Sequence, residues 1–169
     1  RQDFAIRRRI PRILARCSQQ RAVEGLLGAL EDPRFEIRFQ ASRALDYLHQ
    51  NNPQLRYDPA LLFATVSREL SVSRPIWEGR KLLDSRDASD QNFSFLDEIL
   101  RGRANQSLEH VFSLLAVVLP REPLKTSFRA LHAEDRLLRG LGLEYLASTL
   151  PAEVYNKLLA LVEDGAVKP

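Results

Sequence analysis

The chain has no methionine, one cysteine, one tryptophan and only seven glycines in 169 residues. A lone Cys17 excludes an internal disulfide framework and suits a reducing compartment. The three histidines, His49, His110 and His132, are far apart and read as helix-end or polar-face residues. No His or Cys pair has metal-ligand spacing, so no metal site is expected. Long apolar runs are also missing. The longest nearly unbroken one, Val111 to Leu119, holds nine residues, while a membrane-crossing helix needs about twenty. The lack of methionine, with Arg1 first, predicts a piece of a longer chain, so a leader or anchor upstream would lie outside this sequence.

What remains is ordinary for a soluble globular protein: 44% hydrophobic and 28% charged residues, too apolar for a disordered chain. The length suits one domain, 1–169, with a polar loop at 84–92 expected to be flexible. The net charge of +3 is uneven, because residues 1–43 hold ten arginines against five acids.

Apolar residues recur at helical spacing almost everywhere. Ile6, Ile10, Ile13, Leu14 and Cys17 form one stripe, which makes Cys17 a small buried hydrophobe. Val23, Leu26, Leu27 and Leu30 form the next, and Ile37, Ala41, Ala44, Leu45 and Leu48 the third. Asp58-Pro59 is a cap followed by a first-turn proline, leading into Leu61, Leu62, Val66 and Leu70. Ser73-Arg74-Pro75 reads as the start of a separate short helix holding Ile76, Leu82 and Leu83, with Trp77 buried beside them. The stripe from Phe95 to Val118 predicts one helix of about 25 residues ending before Pro120 and loosened at Gly102. Further helices are expected at Leu124–Leu131, Leu137–Leu150 and from Pro151 to near Gly165. No segment alternates with period two, so the expected class is all-α.

The stripes repeat. A shift of 31 residues lays Ile6 on Ile37, Arg7 on Arg38 and Leu14 on Leu45. A shift of 101 lays Val23 on Leu124, Leu27 on Phe128, Ile37 on Leu138, Arg38 on Arg139 and Leu45 on Leu146. In the stretch LEDPRFEIRFQASRAL, Asp32-Pro33 closes one helical pair, because proline disfavours helix in the residue before it and suits the start of the next. The D-P-x-x-x-I-R pattern resembles HEAT repeats, and Arg7, Arg38 and Arg139 fall at the family's ladder position. Arg38 would reach the carboxylate of the inter-helix turn, with Asp32 the acidic partner. Asp32 has no aspartate equivalent 101 residues on, where Ala133 stands beside Asp135. Pro11 resembles the family's kinking proline. The resemblance implies a short α-α superhelix, a HEAT-like solenoid of antiparallel helix pairs.

Chemistry is sparse in this pattern. No Ser or Cys has a recognisable base partner, and Asp97 with Glu98, or Glu134 with Asp135, read as solvated helix-end charges. RGLGLE lacks the preceding strand and third glycine of a phosphate loop, and Gly142 is better explained by close helix packing. No catalytic residue, cofactor site or metal site is therefore expected. The one functional patch is AIRRRIPRILAR, where Arg8, Arg12 and Arg16 stack into a basic ridge at i, i+4 and i+8. Aromatics for base stacking are scarce nearby, and the charge surplus is confined to one helix. The expected partner is thus a protein or another part of the same chain, with nucleic acid as the alternative.

Ser107 to Pro151 is also similar to the HEAT-like segment that follows the membrane region in some bacterial nucleotide transporters of the ATP/ADP translocase type. That resemblance implies a cytoplasmic, non-catalytic regulatory scaffold, reaching a membrane only through its parent chain. A free-standing scaffold is the other form this reading allows.

Overall fold

The computed structural model describes the backbone of residues 2–84, 91–133 and 135–164, and the side chains of residues 4–73, 102–133 and 135–162. Nine helices and no strand occur among the described residues: α1 (Gln2–Arg7), α2 (Ile10–Leu14), α3 (Gln20–Ala29), α4 (Phe35–Asn51), α5 (Pro59–Asp84), α6 (Gln91–Leu115), α7 (Arg121–Leu131), α8 (Arg136–Thr149) and α9 (Ala152–Asp164). The protein is all-α. No described helix is long and apolar enough to cross a membrane.

The helices are stitched by their buried stripes. Ile37, Ala41, Ala44, Leu45 and Leu48 of α4 are all buried, and α4 packs against α2, α3 and α6. Leu62, Val66 and Leu70 of α5 join the same core as Leu108, Val111 and Leu115 of α6 and Val154, Leu158 and Val162 of α9. Leu61 instead faces solvent. The Asp58 cap forms as the sequence indicates, its carboxylate accepting from the amides of Ala60 and Leu61 at 2.9 and 3.4 Å. Asp135 caps α8 in the same way, accepting from Leu137 and Leu138.

Helix α6 spans 25 residues and passes through Gly102 without a break. Gly142 marks a close approach. A Cβ there would lie 2.9 Å from that of Ala130 and 3.3 Å from the Ser127 carbonyl oxygen. Only hydrogen fits, and this lets α8 seat on α7.

Four expectations need correction. The first stripe is not one helix: Pro11 has no N–H for the carbonyl of Arg7, and the chain turns at Arg8 and Arg9 between α1 and α2. The register slips, so Ile6, Ile10 and Ile13 are exposed, at 64, 41 and 63%. Cys17 lies beyond the end of α2 and is exposed rather than buried. Pro75 opens no new helix either. Helix α5 runs through it for 26 residues, because packing of α5 on α6 and α9 outweighs a proline cost of about 3 kcal/mol. On α8, Leu138 is 48% exposed although its counterpart Ile37 is buried. The face that packs there is Gly142 and Leu146, leaving Leu137 and Leu141 in water as well.

Of the polar segment at 84–92, Asp84 closes α5 and Gln91 opens α6. Residues 85–90 and the side chains of Trp77, Asp97 and Glu98 lie outside the described residues, as does Glu134.

The glycines of α8 provide a test of this packing. Gly142→Ala should lower the unfolding free energy by about 1–3 kcal/mol through overpacking. Gly140→Ala, with nothing within 4 Å of its added methyl, should raise it by about 0.5–1 kcal/mol. Urea denaturation of both variants reads the difference, and equal effects would contradict the close contact.

Candidate functional site

Two charged constellations stand out, one buried and one open. The buried one centres on Glu69, which is 1% exposed in the middle of α5. Arg38 of α4 meets it with a two-pronged contact, Nε to Oε1 at 2.9 Å and Nη2 to Oε2 at 3.2 Å. The remaining Arg38 nitrogen, Nη1, donates to the carbonyls of Asp32 and Pro33 at 3.0 and 3.1 Å. Arg38 therefore reaches the inter-helix turn as expected, but through carbonyls. Its carboxylate partner is Glu69, not Asp32.

The other members of the proposed ladder behave differently. Arg7 takes the Asp32 carboxylate, at 3.5 Å, while Asp32 also accepts from the Arg34 amide. Arg139 is half-buried and makes no side-chain hydrogen bond or ion pair within the described residues.

His110 is the sharpest correction to the sequence reading. It lies inside α6, 1% exposed, with Nδ1 2.7 Å from Ser42 Oγ and Nε2 3.4 Å from Glu69 Oε2. Ser42 in turn donates to the Phe39 carbonyl at 2.9 Å. Phe35 and Phe39 meet the imidazole edge-on. A serine, a histidine and a carboxylate thus sit together, which periodicity did not show. Ser42 has no exposed surface at all, so a substrate carbonyl has no approach to its oxygen. The signal was present nonetheless: Arg38 and Ser42 stand at core positions of the α4 stripe, Glu69 lies next to Leu70, and His110 lies next to Val111.

Burial pushes the Glu69 carboxyl upward. Hydrogen bonds and charge from His110 and Arg38 outweigh it and hold the group below its ordinary value of 4.5. The two Arg38 bonds are the firmer cause, since the His110 contact is long and leaves Nε2 without a well-formed bond. Arg68 adds a second guanidinium, 3.6 Å from Glu69.

The open constellation is a groove of about 780 Å³ between the first helices and α4. One wall carries Arg8, Arg9, Arg12 and Arg16; the other carries Glu36, Gln40, Arg43 and Tyr47. All three residues of the expected basic ridge line it, despite the break in the helix. The turn at Arg8 and Arg9 adds a fourth arginine. Arg43 was not foreseen, because its membership depends on α4 lying across α2. All five arginines are exposed. Arg43 is held loosely, 4.0 Å from Glu109 and 5.7 Å from the Phe39 ring. Tyr47 is 53% exposed at the end of the α4 wall. Elsewhere, no cluster of His, Cys, Asp and Glu among the described residues could hold a metal ion.

Because its folded pKa is depressed, the Glu69 carboxylate stabilises the fold above about 4.5. That contribution is lost as pH falls through the lower folded value. Glu69→Gln should remove about 3–5 kcal/mol of stability at neutral pH, since it strands the buried Arg38 without a countercharge. It should also flatten the acid limb of a stability–pH profile measured by urea denaturation. An unchanged acid limb would contradict the clamp.

Comparison with known proteins returns no match to a family model, a curated protein or a solved structure.

Proposed function

We propose that this protein is a non-catalytic binding domain, a short HEAT-like superhelix that holds an anionic partner in the arginine-lined groove. The groove carries the reading. Among the described residues, five guanidinium groups share one concave surface with a single carboxylate, Glu36. Like charges crowded together repel, and an anionic ligand relieves that repulsion while gaining charge-assisted hydrogen bonds. Chemistry has no part in this reading, since the serine best placed beside a histidine has no exposed surface.

The superhelix is supported by the succession of α2, α4 and α6, each packed on the next, with α3 against the first two. Helix α9 departs from a one-dimensional stack by packing on α5 as well as on α8. The same reading places the domain in the cytoplasm as the regulatory appendage of a larger chain. The translocase-like segment Ser107–Pro151 supports this, as does the exposed, unpaired thiol of Cys17.

The sequence favoured a protein partner because the basic surplus seemed confined to one helix and aromatics were scarce. Arg43 and Tyr47, brought into the groove from α4, shift that balance toward a phosphate-bearing one.

Titration with inorganic tripolyphosphate, followed by amide chemical shifts, tests the groove without choosing a biological ligand. Shifts should be confined to α1, α2 and α4 and weaken steeply between about 50 and about 200 mM salt. The double variant Arg12→Glu, Arg43→Glu should lose them with an unchanged melting temperature. Shifts scattered over the surface, or none, would overturn the proposal.

A further inference from the structure

We infer that the ligand of this groove is a single-stranded nucleic acid, its phosphates along the α2 wall and its bases against the α4 wall. The inference rests on the anion-binding reading above and adds the identity of the anion. The two walls differ in kind. Arg8, Arg9, Arg12 and Arg16, with Ala15 among them, make one wall cationic, and among the described residues every cation lining the groove is arginine rather than lysine. A guanidinium fork pairs with two phosphate oxygens at once, where an ammonium acts as a point charge.

The opposite wall is mixed. Glu36, Gln40, Arg43 and Tyr47 fall at helical spacing along one face of α4, a span of roughly 16 Å at 1.5 Å per residue. Gln40 and Glu36 offer acceptors and an amide donor suited to base edges. Tyr47, about half exposed, offers an aromatic ring for a base to stack on. The carboxylates of an acidic peptide bring no aromatic π-face to that ring, and along the α4 wall they would meet Glu36 as a like charge.

Stacking favours one strand over two. An extended strand can set a phosphate near each arginine. A base can reach Tyr47 only when it is unpaired.

Fluorescence anisotropy with labelled oligothymidylate and oligouridylate, a duplex of matched length and an oligoglutamate of matched charge tests the inference. The single strands should bind, with log K falling against log salt at a slope of about −2 to −3.5, as expected for about three to five neutralised phosphates. Tyr47→Ala should weaken single-strand binding roughly tenfold while leaving the salt slope unchanged. Arg12→Glu with Arg43→Glu should make the slope shallower. If oligoglutamate binds as tightly as the single strands and Tyr47→Ala changes neither, the inference falls and the anion-binding groove stands. Equal affinity for duplex with a silent Tyr47→Ala also overturns it. Binding of none of the four ligands at low salt overturns both readings.

Discussion

The Glu69 carboxylate, buried on α5, clamped by Arg38 from α4 and faced at 3.4 Å by His110 from α6, is the contact on which the arrangement of the central helices depends. One acidic group joins three helices. Through the free nitrogen of Arg38 it also fixes the turn at Asp32 and Pro33, which sets where α4 begins. Removing several polar groups from water is costly, and a buried ion pair yields little net stability against an apolar replacement. What it supplies is position: only one placement of α4 satisfies Arg38, Ser42 and the phenylalanines around His110 together. Because α4 forms a wall of the groove, this clamp orients the surface residues Gln40, Arg43 and Tyr47.

The other wall owes its shape to Pro11. A continuous first helix would have buried Ile6, Ile10 and Ile13 and carried its arginines outward in a straight ridge. The missing amide breaks it, Pro11 itself is buried, and the turn folds Arg8 and Arg9 toward α4. The isoleucines are left in water as a consequence. The first segments thus give up apolar burial and gain a concave cationic surface. A domain optimised only for stability would not crowd five arginines there. That local conflict is one of the observations on which the proposed binding surface rests.

Much of the architecture was legible from periodicity. The stripes of α3 and α4, the Asp58 cap, the 25-residue α6 and the packing role of Gly142 follow from spacing and backbone chemistry. These are local signals. The misreadings share a different cause, since each depended on what lies across a gap. Pro75 sits inside α5, where the packing of the whole helix on α6 and α9 outweighs the local cost of proline. Cys17 and Leu138 follow helical spacing, but no helix among the described residues covers them. His110 looked polar because its partners, Ser42 and Glu69, lie 68 and 41 residues away in the sequence. The groove was half legible: Arg8, Arg12 and Arg16 could be picked out, whereas Arg43 and Tyr47 required knowing that α4 crosses α2.

A crystal structure of the protein with a short oligothymidylate would test the central claim most directly. The account predicts phosphates within hydrogen-bonding distance of Arg12, Arg16 and Arg43, a base stacked on Tyr47, and the Arg38–Glu69 clamp unchanged beneath them. A strand bound elsewhere on the surface, with the groove arginines still in solvent, would contradict it.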